Sequence, residues 1–135
     1  MTVAAILLAA GASRRMGSPK PLIPWGDQTL VEWEFAQLMA SSVDEIVVVC
    51  GARMEVVRRT LGAAASHIVF NPRWPQGRAT SLAEGAQALL RPSRERPEAI
   101  VIQNVDQPTR PSIIDRLLEA RRERRSEEHT SELQS

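Results

Sequence analysis

Three short segments of this 135-residue chain carry residue types that could do chemistry, and the first is suited to holding an anion. The first is Leu8-Ala-Ala-Gly-Ala-Ser-Arg-Arg-Met-Gly-Ser-Pro-Lys20. Small residues at 9–13 let backbone N–H groups approach an anion without obstruction, as main-chain anion nests require. Arg14, Arg15 and Lys20 add positive charge to the same loop, and Lys20 is the only lysine among 17 basic residues. Codon bias in a GC-rich genome accounts for the arginines, which makes the surviving lysine stand out. The spacing is not that of a Walker A loop, because Ser-Pro-Lys replaces Lys-Ser/Thr, and it is not the dinucleotide GxGxxG pattern. The plain alternative is a surface loop whose cations face water, yet an apolar run leads straight into it. The second segment opens at Asn71-Pro72 and reaches Ser81; the third is Asp106-Gln-Pro108. Each also has a plain reading, since Asn before Pro opens turns and Asp before Gln-Pro suits a turn ahead of a helix.

Other nucleophile chemistry finds little support. The single cysteine, Cys50, excludes an internal disulfide and a CxxC site, and it ends an apolar run that reads as core. Up to residue 124 the one histidine is His67, which reads as a strand-edge residue rather than a base. Trp25, Trp33 and Trp74 read as packing or lid residues.

The elements that must position these segments alternate along the chain. Val3–Ala9 is a continuous apolar run followed by a glycine-bearing loop, the pattern of a strand buried on both faces. Residues 10–28 read as one long loop. Thr29 and Glu32 form a capping box for a helix to about Ala40. A strand over 44–50, a helix over 53–61 and a short strand over 67–70 follow. A helix over 79–90, a strand over 99–102 and a helix over 111–123, with Pro111 at its first position, complete the series. Strand and helix alternate without hairpin signals, which predicts an α/β fold. The expected architecture is Rossmann-like and doubly wound, a mostly parallel sheet in three α/β/α layers. In such sheets ligands bind beyond the carboxyl ends of the strands, the edge on which all three segments fall.

At these residues the chain resembles the MobA-like NTP transferase domain family, in the branch of the molybdenum cofactor cytidylyltransferases. The signature L-A-A-G-x-S-x-R-M-G-x-P-K occupies residues 8–20. The resemblance continues at Asn71-Pro-x-Trp74-x-x-Gly77-x-x-x-Ser81-Leu-x-x-Gly85 and at Asp106-Gln-Pro108. It implies that Leu8, Ala9, Ala10 and Gly11 hold the base and triphosphate, with Asn71 and Ser81 near the ribose or base. Arg15 and Lys20 would neutralise phosphate oxygens, and Asp106 would ligate Mg2+, a hard cation that prefers oxygen donors. Arg15, Lys20 and Asp106 are thus the expected catalytic residues. The implied reaction moves a nucleoside monophosphate from an NTP to a phosphorylated acceptor such as a molybdopterin-type cofactor, releasing pyrophosphate. Such transfer asks a protein mainly for positioning and charge stabilisation. Within the family the L-A-A-G form goes with cytidylyl transfer, so CTP is the favoured NTP. A sugar- or polyol-phosphate nucleotidyltransferase and a non-catalytic NTP-binding module are the alternatives.

The last eleven residues, Arg125 to Ser135, read as the in-frame translation of a sequencing adapter, which leaves 1–124 as the native N-terminal part of the domain. Without Arg125, Glu127, Glu128 and Glu132 the net charge of +1 becomes +3, mildly basic. On this reading the domain is incomplete on its C-terminal side, lacks a second acidic metal ligand, and has little or no turnover by itself. Neither charge value suggests a nucleic-acid or membrane partner. The apolar run at 3–10 is too short for a signal or spanning segment, so the expected location is cytoplasmic. Acceptor identity and oligomeric state are not legible.

Overall fold

Every side chain of the first strand, β1 (Val3–Ala9), is buried. A strand apolar on both faces belongs at the centre of a parallel sheet covered by helices, and β1 takes that position. The computed structural model describes residues 2–10, 14–15, 18–19, 24–91, 96–105 and 110–134, with no side-chain description for 14–15, 18–19, 64–66 and 127–134. The other strands of the sheet are β2 (Glu45–Cys50), β3 (Ile68–Phe70) and β4 (Ala99–Asn104). Their order is β3-β2-β1-β4 and every pairing is parallel, with Ile6 in register with Val47 on one side and Ile102 on the other. The order reverses between β1 and β4, the crevice where open parallel sheets take ligands.

Four helices cover the sheet: α1 (Leu30–Ala40), α2 (Met54–Leu61), α3 (Arg78–Leu89) and α4 (Pro111–Gln134). The period-2 alternation of β1 divides them. Val3, Ala5, Leu7 and Ala9 pack with Leu30, Val31, Phe35 and Leu38 of α1, Val57 of α2, and Ile114 and Leu118 of α4. Ala4, Ile6, Leu8 and Ala10 pack with Leu89 of α3 on the opposite face. This is the expected three-layer α/β/α architecture. Gly85 lets α3 approach closely, since a Cβ there would lie 3.0 Å from the Ile6 side chain. On β4, Ile100 and Ile102 share that face but remain 36 % and 47 % exposed, so α3 leaves the edge strand uncovered.

Local chemistry sets the element ends. Thr29 caps α1 as expected: its hydroxyl accepts from Glu32 N–H at 3.4 Å, and Glu32 Oε1 accepts from Thr29 N–H at 3.0 Å. Asp44 ties β1 to the start of β2, accepting Val3 N–H at 2.7 Å while its own N–H donates to Val3 O at 2.7 Å. Asp115 of α4 accepts from the N–H and hydroxyl of Ser42, both at 2.8 Å.

Three expectations are corrected. The region 10–28 is not one loop without pairing: Arg14–Arg15 pairs antiparallel with Ser18–Pro19, and Pro24–Trp25 pairs with Gln28–Thr29 around Gly26-Asp27. These two-residue ladders are too short to leave a period-2 signal. β4 runs two residues further than expected, to Asn104, because pairing with Leu8 of β1 carries it through polar Gln103 and Asn104. Helix α4 continues to Gln134 rather than ending near 123, since no Gly or Pro interrupts residues 112–134. Among the described residues no helix is long and apolar enough to cross a membrane.

Replacing Thr29 by Ala removes the cap and is expected to lower stability by about 1 kcal/mol in urea unfolding. Leu38→Ala, at a fully buried position, should cost roughly 2–5 kcal/mol in the same measurement.

Candidate active site

The carboxyl ends of β1 and β4 are joined at one point: Val105 N–H donates to Leu8 O at 3.1 Å. That bond sets the first residue of the L-A-A-G segment beside the residue that precedes Asp106. Leu8, Ala9 and Ala10 are all buried there, so their side chains belong to the core. Gly51, just after β2, must be glycine for the loop to pass. A Cβ at that position would lie 2.5 Å from Ala10 O and 2.7 Å from Trp74 Cβ. Trp74 therefore rests directly on the strand ends, which fits the packing or lid role expected of it.

Asn71 follows β3 and is completely buried. Its side-chain amide donates to Thr80 Oγ1 and Ser81 Oγ, both at 2.9 Å, and its Oδ1 accepts from Arg73 N–H at 2.9 Å. Its own N–H donates to Cys50 O at 2.8 Å. Asn71 and Ser81 are thus brought together, as a brace that holds the first turn of α3 against the ends of β2 and β3.

The end of β4 carries polar residues that sequence reasoning did not single out. Arg78, the first residue of α3, donates through Nε to Asn104 Oδ1 at 3.2 Å. Gln103 Nε2 donates to Asn104 O at 3.0 Å and lies 3.4 Å from Oε1 of Glu34. Glu34 is only 1 % exposed, on the buried stripe of α1. Burying a carboxylate is costly unless it is hydrogen-bonded, so this contact marks a deliberate polar link between α1 and the strand end. The signal was present as a polar residue at helical spacing between Val31, Phe35 and Leu38, but helix spacing alone does not name its partner.

Of the remaining expected site residues, Arg15 lies in the short ladder opposite Ser18, with its main chain alone described. Gly11, Lys20 and Asp106 lie outside the described residues. Among the described residues no group of three or more His, Cys, Asp or Glu side chains could hold a metal. Trp25 and Trp33 meet at a centroid distance of 5.7 Å with their ring planes tilted by 51°, fastening the 24–29 hairpin to α1. His67 donates through Nδ1–H to Ile46 O at 2.9 Å and meets Phe35 edge-on, a packing role. An open depression of about 580 Å³ lined by Gly51, Arg53, Met54, Phe70 and Trp74 lies beside the ends of β2 and β3. Gly51 and Trp74, which meet Ala10 at the end of β1, form part of its lining.

Comparison with known proteins gives a consistent picture. Residues 5–130 match the MobA-like NTP transferase domain. The chain is 34 % identical over 107 residues to nicotine blue oxidoreductase of Paenarthrobacter nicotinovorans, covering 78 % of this chain and 50 % of that protein. It is 41 % identical over 54 residues to a probable molybdenum cofactor guanylyltransferase of Bacillus cytotoxicus, covering 40 % of this chain and 27 % of the relative. Among solved structures, a nucleotidyl transferase from Methanothermobacter thermautotroptrophicus superposes with a TM-score of 0.75 at 26 % identity, over 87 % of this chain and 57 % of that one. Rv0371c from Mycobacterium tuberculosis H37Rv gives 0.74 at 27 % identity, over 87 % and 59 %. The chain spans about half the length of nicotine blue oxidoreductase and rather more of these two structures.

Asn71→Ala strips the brace from two buried or half-buried hydroxyls and should lower stability by about 1–3 kcal/mol in denaturant unfolding. Burial pushes the Cys50 thiol up from 9.0 to about 12. In the native protein it should stay unreactive toward a thiol-specific reagent at neutral pH. Because the folded state holds that proton more tightly, Cys50 favours folding fully below pH 9, and its contribution should fall as pH rises from 9 toward 12. Comparing the alkaline limb of the unfolding curve with that of Cys50→Ala checks the sign.

Proposed function

The chain belongs to the MobA-like NTP transferase domain family, and from that premise we propose that it forms the nucleotide-binding part of a Mg2+-dependent nucleotidyltransferase. The observation that carries this reading is the Val105–Leu8 hydrogen bond at 3.1 Å. It joins the start of the cationic loop to the turn that leads into Asp106. In the proposed reaction an acceptor phosphate oxygen attacks the α-phosphate of an NTP in line. A new P–O bond forms, the bond to the leaving oxygen breaks, and pyrophosphate departs with the electron pair. Main-chain groups of Leu8 to Gly11 hold the nucleotide, while Arg15 and Lys20 offset the charge that builds on the phosphates. Asp106, a hard oxygen donor that follows Val105 in the sequence, is the residue assigned to Mg2+, which would supply charge neutralisation when bound. Asn71 and Ser81 support the base and ribose side by holding the first turn of α3.

CTP is the favoured nucleotide on the strength of Leu8-Ala-Ala-Gly11, and a molybdopterin-type phosphate is the favoured acceptor. The guanylyltransferase names of two Bacillus relatives, matched over 54 and 46 residues, make GTP the competitor to test. A second reading rests on the likeness to nicotine blue oxidoreductase. In it the same edge holds a nucleotide as an electron carrier rather than as a substrate.

The deciding experiment offers CTP, GTP or a reduced dinucleotide with candidate acceptors and follows pyrophosphate release and absorbance. Pyrophosphate release with CTP supports the proposal, a preference for GTP overturns the cytidylyl assignment, and oxidation of the dinucleotide without pyrophosphate favours the second reading. The 135-residue chain is expected to bind CTP with little turnover, which equilibrium binding and the same assay measure together. In a full-length enzyme Lys20→Ala should lower kcat by about 10²-fold or more, the scale of losing one preorganised charge-stabilising group. An effect on KM alone contradicts the role.

A further inference from the structure

The β1–β4 crevice has a cation that the family signature does not name. Arg78 opens α3 at the carboxyl edge, and its side chain is exposed. Through Nε it donates to Asn104 Oδ1 at 3.2 Å, two residues before Asp106. Three features set it apart from the neighbouring arginines. Its partner is a neutral amide oxygen, so the guanidinium charge is not cancelled, whereas Arg73 faces the carboxylate of Glu84 at 3.5 Å. Arg53 follows β2 at the start of α2 and lines the depression there. The strand end that holds Arg78 is itself fixed: Asn104 O accepts from Gln103 Nε2 at 3.0 Å, and Val105 N–H is bonded to Leu8 O. A guanidinium is planar and its donors form a rigid fork, so anchoring Nε also sets the plane of the two terminal amino groups. Those groups are the ones that pair with phosphate oxygens in a bidentate fashion.

We propose that Arg78, oriented by Asn104, is a phosphate-binding residue of this site. The inference rests on the nucleotide-site reading above and adds to it a cation on the α3 side of the crevice, opposite in chain position to the loop of Arg15 and Lys20. The phosphate belongs either to the NTP or to the acceptor.

Equilibrium binding to the 135-residue chain distinguishes these, using CTP, GTP, inorganic pyrophosphate, glycerol phosphate and cytidine as probes for the wild type, Arg78→Ala and Arg78→Lys. Arg78 is exposed, so both variants should keep the circular dichroism spectrum and melting temperature of the parent. Arg78→Ala is expected to weaken phosphate-bearing probes about tenfold or more, the scale of one charge-assisted hydrogen bond, and to leave cytidine unchanged; Arg78→Lys should fall between. A loss confined to CTP and pyrophosphate assigns Arg78 to the NTP, and a loss confined to glycerol phosphate assigns it to the acceptor. Unchanged phosphate affinity in Arg78→Ala, or an equal loss for cytidine, overturns the proposal. If pyrophosphate binds in an Arg78-dependent way while neither CTP nor GTP binds, Arg78 keeps its role and the nucleotidyltransferase reading falls. If the wild type binds none of the probes, both fall.

Discussion

The fold depends on one strand with no polar side chain. β1 is paired on both edges and covered on both faces, so all its main-chain donors and acceptors are spent inside the sheet until its carboxyl end. There the backbone leaves the ladder, after Ala9. Apolar burial is non-directional and holds the layers together. The hydrogen-bonded ladder decides which residues stand at the edge.

Polar contacts then fix that edge in detail. Asn71 ties three segments together: its main-chain N–H donates to Cys50 O of β2, and its side chain bonds Arg73 N–H in the turn after β3 and the Thr80 and Ser81 hydroxyls of α3. Gln103 and Asn104 do the same for α1, β4 and α3. Most of these groups are buried, where an unmade hydrogen bond is expensive, so each one rules out alternative placements of the helix starts. Gly51 acts by the opposite means. It contributes no atoms beyond the main chain, and this lets the Ala10 carbonyl and Trp74 occupy the same small space.

Likeness to the solved nucleotidyl transferase from Methanothermobacter thermautotroptrophicus has a TM-score of 0.75 at only 26 % identity. This is the behaviour of a scaffold whose strand pattern tolerates wide substitution. Chemistry is carried by sites set on such scaffolds rather than by the scaffolds themselves. A relative named as an oxidoreductase and others named as guanylyltransferases both match this chain, so the shared sheet does not by itself distinguish these activities.

The sequence by itself determined the order of elements, the parallel sheet, the Thr29 capping box and the edge on which its unusual loop emerges. These follow from short-range signals: hydrophobic period, helix caps, and the rule that sequential strands in such sheets connect through helices on one hand. Tertiary structure decided the rest. That Asn71 would meet Thr80 and Ser81, or that Arg78 would reach Asn104 across 26 residues, depends on how far α3 crosses the strand ends before turning down. No local pattern encodes that distance. The two short ladders between 14 and 29 were invisible for a related reason, since two paired residues leave no periodicity; the second is held to the rest of the chain by Trp25 on Trp33. The buried Glu34 was legible as an anomaly on an apolar stripe, but its meaning came only from the partner that folding brought to it.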